Sequence, residues 1–154
     1  MTLIVMSDSH RSAAVIEQVK AKHPQATYIH CGDSELPFDH EALIGITIVK
    51  GNCDVDPHYS LEQVLLYEGQ KVLIVHGHQH HVNQSPLSLV YRAQEVGASL
   101  VCFGHTHCAG FEQYDNVTLL NPGSLVKSRN ELPEGYAIVE WRHQQWQVTI
   151  MPLL

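Results

Sequence analysis

Five times within its first 107 residues the chain repeats one arrangement, a short apolar run that ends in Asp, Asn or His. LIVMSDSH (3–10) ends with Asp8 and His10, and YIHCGD (28–33) with Asp33. ITIVKGNCD (46–54) reaches Asn52 and Asp54, and VLIVHGH (72–78) reaches His76 and His78. LVCFGHTH (100–107) closes with His105 and His107. Runs of this length, rich in Val, Ile and Leu, read as buried strands. Polar side chains at the carboxyl ends of such strands place chemistry at one edge of an α/β sheet. His105 and His107 are two residues apart, so an extended backbone would aim both at one point just past the strand.

The segments between these runs read as helices and turns. Ser12 is suited to cap a helix whose inward face is Val15, Ile16 and Val19 and which ends at His23-Pro24. Ser85-Pro86 opens a second helix that runs to Val96 and stops at Gly97. Strands are expected over 2–6, 26–30, 44–50, 62–67, 71–76 and 99–103. Residues 34–42 read as loop or a short helical turn around Pro37, and 77–84 as a polar exposed loop. After His107 the pattern becomes β-rich, with strands over 110–114, 117–120, 135–142 and 146–150. Two facing mixed sheets with helices outside would satisfy this order. No repeat, linker or low-complexity tract divides the 154 residues, so one domain over 1–154 is expected.

Charge and cysteine usage narrow the partners. A net charge of −7 argues against long nucleic acid or an anionic membrane surface as partner. No apolar run is long enough to span a bilayer, and MTLIVMSDSH reads as a first strand rather than a secretory leader. Cys31, Cys53, Cys102 and Cys108 form no CxxC pair and read as reduced thiols of a cytoplasmic protein, Cys31 and Cys102 as small buried side chains. The Trp141/Trp146 hairpin, expected to be exposed, reads as core or oligomer contact, which leaves a homo-oligomer compatible with the sequence.

Histidine is abundant, with 12 in the chain and 6 of them between residues 76 and 107. Neutral imidazole is the commonest transition-metal ligand. Asp8, His10, Asp33, Asn52, His76, His105 and His107 together offer imidazole nitrogens, carboxylates and one neutral carbonyl oxygen. Nitrogen and oxygen donors without sulfur suit a catalytic pair of divalent ions better than a structural zinc. His80 and His81 read as solvated loop residues, and Asn121-Pro122-Gly123-Ser124 as a turn.

DSH (8–10), GDS (32–34), GNCD (51–54), HGH (76–78) and GHTH (104–107), in this order, resemble the signature of the calcineurin-like metallophosphoesterase superfamily. With the Asn-Pro-Gly-Ser at 121–124, the chain looks like the compact bacterial and archaeal phosphodiesterase branch, itself similar in fold to the Vps29 subunit of retromer. The resemblance implies a four-layer α/β/β/α sandwich with the ions at the strand ends, and a pocket lined in part by 121–124. It implies a first ion on Asp8, His10, Asp33 and His107, and a second on Asp33, Asn52, His76 and His105, with Asp33 bridging. Mn²⁺ is first among the candidates, then Fe²⁺, with Ni²⁺ or Zn²⁺ also compatible.

The activity implied is hydrolysis of small phosphate esters by a hydroxide bridging the ions. Two such ions with two carboxylates and that hydroxide leave about one net positive charge, which attracts phosphate locally in an acidic chain. The alternatives are a Vps29-like binding scaffold with a vestigial site, a phosphomonoesterase and a nuclease. The sequence departs from many relatives at Cys53, where they carry a histidine that can protonate the leaving group. A thiol is a weak donor with little positive charge for a phosphate dianion, so phosphodiesters with a good leaving group are the expected substrates. Asp54 and His78 are the residues expected to orient ligands or bound water beside Cys53.

Overall fold

The computed structural model describes residues 1–154. Its first strand, β1 (Leu3–Met6), is buried on both faces and shows how the layers form. Leu3 and Val5 point into a cluster shared with Ile29, Ile74, Leu100 and Leu120, whereas Ile4 and Met6 pack with Ile16 and Val19 of helix α1 (Ala13–Lys22). This is the period-two alternation of a strand with both faces covered. Each fully buried aliphatic side chain of this kind contributes about 1.5–3 kcal/mol.

The remaining strands are β2 (Thr27–His30), β3 (Ile46–Ile48), β4 (Glu62–Tyr67), β5 (Gln70–Val75), β6 (Leu100–Cys102), β7 (Gly110–Tyr114), β8 (Val117–Asn121), β9 (Gly135–Arg142) and β10 (Gln145–Pro152). One five-stranded sheet has the order β10-β9-β1-β2-β3 and the other β4-β5-β6-β8-β7. In the first, β1, β2 and β3 are parallel, and β9 and β10 add to them antiparallel. In the second, β5, β6 and β8 are parallel, flanked by antiparallel β4 and β7. Helix α2 (Leu87–Val96) covers the second sheet through Leu89, Val90 and Ala93. The result is the four-layer α/β/β/α sandwich, with the inter-sheet core between two mixed sheets.

Local signals explain the boundaries. The Ser12 hydroxyl accepts from Val15 N–H, so it caps α1 as expected. At α2 the Ser85 hydroxyl accepts from Leu87 N–H, and Gly97 ends the helix at φ 77°. β3 is shorter than expected because Ile44 is exposed after a 3₁₀ turn at Glu41–Leu43 and Gly45 turns the chain at φ 79°. The loop after β5 contains a second 3₁₀ turn at His78–His80, where His80 is half-buried rather than solvated, whereas His81 is exposed as expected. Cys31 and Cys102 are buried in the inter-sheet core, as expected. Trp141 and Trp146 are half-buried. Trp146 stacks on Tyr67 and donates to the Ser99 hydroxyl, closing the inter-sheet core at the start of β6. No helix is long and apolar enough to cross a membrane.

Candidate metal centre

All six parallel strands deliver their carboxyl ends to one edge, and the loops that follow them interlock there. Asp8 N–H donates to Gly32 O, His10 N–H to Asp33 O, and Arg11 N–H to Ser34 O, so the loops after β1 and β2 run side by side. The Asp54 carboxylate draws in the loop after β3, accepting from Asp33 N–H (2.8 Å), Glu35 N–H (2.8 Å) and Gly51 N–H (2.7 Å). The Ser124 hydroxyl, after β8, donates to Asp8 O, and the Asn121 amide donates to Gly104 O and the Thr106 hydroxyl. Residues 121–124 therefore brace the loops from behind. Gly51 and Gly104 lie so close to Asp33 and Asp8 that any Cβ would strike their carboxylates.

These loops are not extended. Asp8, His10, Arg11, Asp33, Glu35, His105 and His107 all have positive φ, between 38° and 72°. Residues other than glycine enter this region at a cost of order 1–3 kcal/mol. The extended-backbone expectation for His105 and His107 therefore gives way to a different geometry. His105 Nδ1 stands 3.1 Å from Asn52 Oδ1. His107 Nε2 stands 3.2 Å from Asp8 Oδ1 and 3.2 Å from His10 Nε2. The two rings serve opposite sides of one cluster.

The seven residues singled out in the sequence converge. Asp8 Oδ2 accepts from the Ser7 hydroxyl and from His105 N–H, while Oδ1 is fully buried with no hydrogen-bond partner. Around that oxygen stand His107 Nε2 at 3.2 Å, His10 Nε2 at 3.7 Å and His76 Nε2 at 3.9 Å. His76 Nε2 is also 3.2 Å from Asp33 Oδ2 and 3.0 Å from Asn52 Oδ1. Two groups, Asp8–His10–His107 and Asp8–Asp33–His76, each bring three donor atoms within 4.8 Å of one another.

The outer nitrogens decide which way the rings offer their lone pairs. His76 Nδ1–H donates to Cys31 O (2.8 Å), His107 Nδ1–H to Lys127 O (2.8 Å), and His10 Nδ1–H to the Glu35 carboxylate (2.7 Å). A carbonyl oxygen can only accept, so each neutral ring turns an Nε2 lone pair inward. Inward lone pairs and carboxylate oxygens at this spacing repel unless a positive charge lies among them. Without an ion, protons take that part. Burial pushes Asp8 up, yet His10 and His107, with His76 and Ser7, hold it well below the usual carboxylate range. Asp8, against burial and with help from Glu35, pushes His10 up to about 9. The donor set fits divalent cations.

The other residues named in advance take distinct places. Asp54 is buried and its three accepted bonds all come from backbone, so it holds the loops in position. Cys53 is exposed, and its Sγ lies within 4.8 Å of donor atoms of His10 and Asp33. Partial burial and the carboxylates of Asp33, Glu35 and Asp54 push its thiol up to about 11. His78 is half-buried beside His76 (ring centroids 5.4 Å) and His105 (6.3 Å), and its Nδ1 is buried without a partner. Burial, then His76 and His105, lower its pKa and keep it neutral.

Sequence reasoning missed Glu35 and His30. Glu35 follows Asp33 by two residues in the same loop, a signal that was readable. His30 was hidden inside a strand pattern. It is fully buried and burial lowers its pKa to about 4. Its Nδ1 accepts from Gly32 N–H, so its Nε2–H donates to the Ser9 hydroxyl, tying the first two loops together.

Residues 1–144 match the family profile described as the calcineurin-like phosphoesterase superfamily domain. The chain belongs to this superfamily of metallophosphoesterases, whose members use divalent metals. It is 40% identical over 141 residues to the probable metallophosphoesterase YsnB of Bacillus subtilis, covering 90% of this chain and 83% of that protein. A crystal structure of a predicted phosphoesterase from Streptococcus pneumoniae TIGR4 superposes with a TM-score of 0.94 at 33% identity, covering 99% of this chain and 89% of that one. An archaeal phosphodiesterase (TM-score 0.75, 23% identity, 98% and 100% covered) and Vacuolar Protein Sorting 29 of Cryptosporidium parvum (TM-score 0.74, 16% identity, 96% and 95% covered) share the fold.

Proposed function

We propose that this protein is a phosphodiesterase working with two divalent ions, Mn²⁺ before Fe²⁺, Ni²⁺ or Zn²⁺, on small phosphate esters. The observation that carries this reading is the buried, unpartnered Asp8 Oδ1 ringed by three inward-facing imidazole nitrogens. Asp8, His10, Asp33 and His107 would hold one ion, and Asp33, Asn52, His76 and His105 the other, with Asp33 between them. When bound, the ions would activate a water and neutralise charge on the phosphoryl oxygens. Glu35, Cys31 O and Lys127 O orient the rings, and Asp54 and His30 keep the loops in register. His78, neutral beside His76 and His105, would orient bound water.

Cys53 stands at the exposed lip of the centre. A thiol pushed up to about 11 offers neither positive charge nor a ready proton near neutrality. Substrates that leave without a strong acid and carry a single phosphate charge are therefore favoured, as aryl phosphodiesters do. The net charge of −7 favours small substrates over long polyanions. The four free cysteines fit a reducing compartment such as the cytoplasm. The test compares Mn²⁺-loaded protein on an aryl phosphodiester and on the matching monoester. Faster diester cleavage, abolished by Asp33→Ala and His76→Ala, supports the reading. Faster monoester cleavage overturns the substrate preference, and activity surviving both substitutions overturns the centre.

A further inference from the structure

Cys53 brings to the centre the one donor atom that differs in kind from the rest. Its Sγ, a ring nitrogen of His10 and a carboxylate oxygen of Asp33 all lie within 4.8 Å of one another. The three residues come from the loops after β1, β2 and β3, which Asp54 and the side-by-side backbone bonds hold together. Asp8 Oδ1, fully buried and without a hydrogen-bond partner, faces the same cluster, 3.7 Å from His10 Nε2. Zinc holds sulfur at about 2.3 Å and nitrogen or oxygen at about 2.0–2.2 Å in a tetrahedron, so two donors of one ion stand about 3.3–3.7 Å apart. Closing the three donors to that spacing falls to the Cys53 side chain, which is exposed.

We propose that His10, Asp33 and Cys53 form an alternative site for a soft divalent ion, Zn²⁺ or Cd²⁺, that adds a thiolate to two ligands of the hard-ion centre. The proposal rests on the reading of His10 and Asp33 as metal ligands given above. Mn²⁺ prefers oxygen and imidazole and leaves the sulfur free, whereas Zn²⁺ and Cd²⁺ take thiolate readily. On coordination the S–H bond breaks, its proton passes to solvent, and a metal–sulfur bond forms, with nothing oxidised or reduced. The hard-ion pair needs His10 and Asp33, and an ion held by Cys53 takes both from it. The bound soft ion would therefore silence the centre by displacing the hard-ion pair.

The competing thiols are placed differently. Cys31 and Cys102 are buried between the sheets, and the Cys108 S–H points to Thr106 O at 3.4 Å. Metal-free wild type, Cys53→Ser and Cys108→Ser are titrated with Co²⁺ and Cd²⁺ while thiolate-to-metal charge-transfer absorption is followed. Zn²⁺ and Mn²⁺ affinities are measured by calorimetry. The expected result is a charge-transfer band in wild type and Cys108→Ser that is absent in Cys53→Ser. Cys53→Ser is expected to lose roughly tenfold or more in Zn²⁺ affinity, with Mn²⁺ affinity unchanged. A band that persists in Cys53→Ser overturns the proposal. Wild type that binds Mn²⁺ but shows no band overturns the proposal and leaves the centre standing. A Cys53-dependent band without Mn²⁺ binding supports the thiolate site and overturns the two-ion reading, and protein that binds none of these ions overturns both.

Discussion

The edge of the sandwich that carries the hairpin turns and the edge that carries the metal centre use the same left-handed backbone conformation, for opposite reasons. At the far edge, two-residue turns join β4 to β5, β7 to β8 and β9 to β10, and Glu68, Asp115, His143 and Gln144 have positive φ there. Those dihedrals match the right-handed twist of the paired strands, and the residues are exposed. At the near edge eight residues other than glycine have positive φ, and no hairpin demands it. Asp8, Asp33 and His107 among them are buried. Their conformation is imposed by the interlocked loops, and it is what turns acids and imidazoles toward one point. Strain at the far edge serves the turn, and strain at the near edge serves the ligand geometry.

The comparison predicts large effects at one edge and small ones at the other. Asp33→Ala removes the carboxylate that the proposed reading puts between the two ions, so calorimetry should show a loss of more than about 100-fold in Mn²⁺ affinity. Retention of wild-type affinity would break the account of the near edge. Asp54→Ala leaves the Asp33, Glu35 and Gly51 N–H groups without their shared acceptor. Thermal and urea denaturation should report a loss of about 3 kcal/mol or more, since a bond to a charged group contributes ~1.5–3 kcal/mol. Stability within ~0.5 kcal/mol of wild type would mean that the loops hold without it.

Metal binding should also follow pH. His10 keeps its proton up to about 9 in the ion-free chain, so an ion must displace it. Mn²⁺ affinity should rise as pH approaches that value and fall below it, by up to about tenfold per unit for each proton released. A flat profile between ~pH 6 and ~pH 8 would contradict this competition. Glu35→Gln weakens the acceptor behind His10, and a loss near tenfold in Mn²⁺ affinity with little change in melting temperature is expected. Equal losses of stability and affinity would make Glu35 a structural group instead. The smallest effect belongs to the far edge. Replacing His143-Gln144 with Asn-Gly supplies residues that adopt positive φ easily, and should stabilise by up to about 1 kcal/mol without touching Mn²⁺ affinity.

Much of this was legible in the sequence. Apolar runs of strand length marked the six parallel strands, Ser12 and Ser85 marked the helix starts, and the polar residues at the run ends were the ones that meet. What failed was reasoning that extended a local pattern one step too far. His105 and His107 were expected to converge by strand alternation, but both lie beyond β6 in the left-handed region and face different partners. Residues 44 and 45 looked like strand and form the turn before β3. Asp54, expected to orient ligands, does so through backbone, its oxygens accepting from N–H groups of two loops. The bond from Ser124 to Asp8 and the role of His30 gave no signal, because the partners lie 116 and 21 residues away in the chain.

The sequence by itself determined where strands begin and end and which donor types stand at their carboxyl ends, because periodicity and turn chemistry act over a few residues. Only the tertiary structure decided which of those donors share a point and which nitrogen of each ring faces inward. It also decided that Asp8 Oδ1 is left unpartnered at the centre. That depends on two sheets stacking face to face and on loops locking one another into dihedrals that none would hold alone. Hydrogen bonds between residues distant in the chain impose those dihedrals, and no local pattern records them.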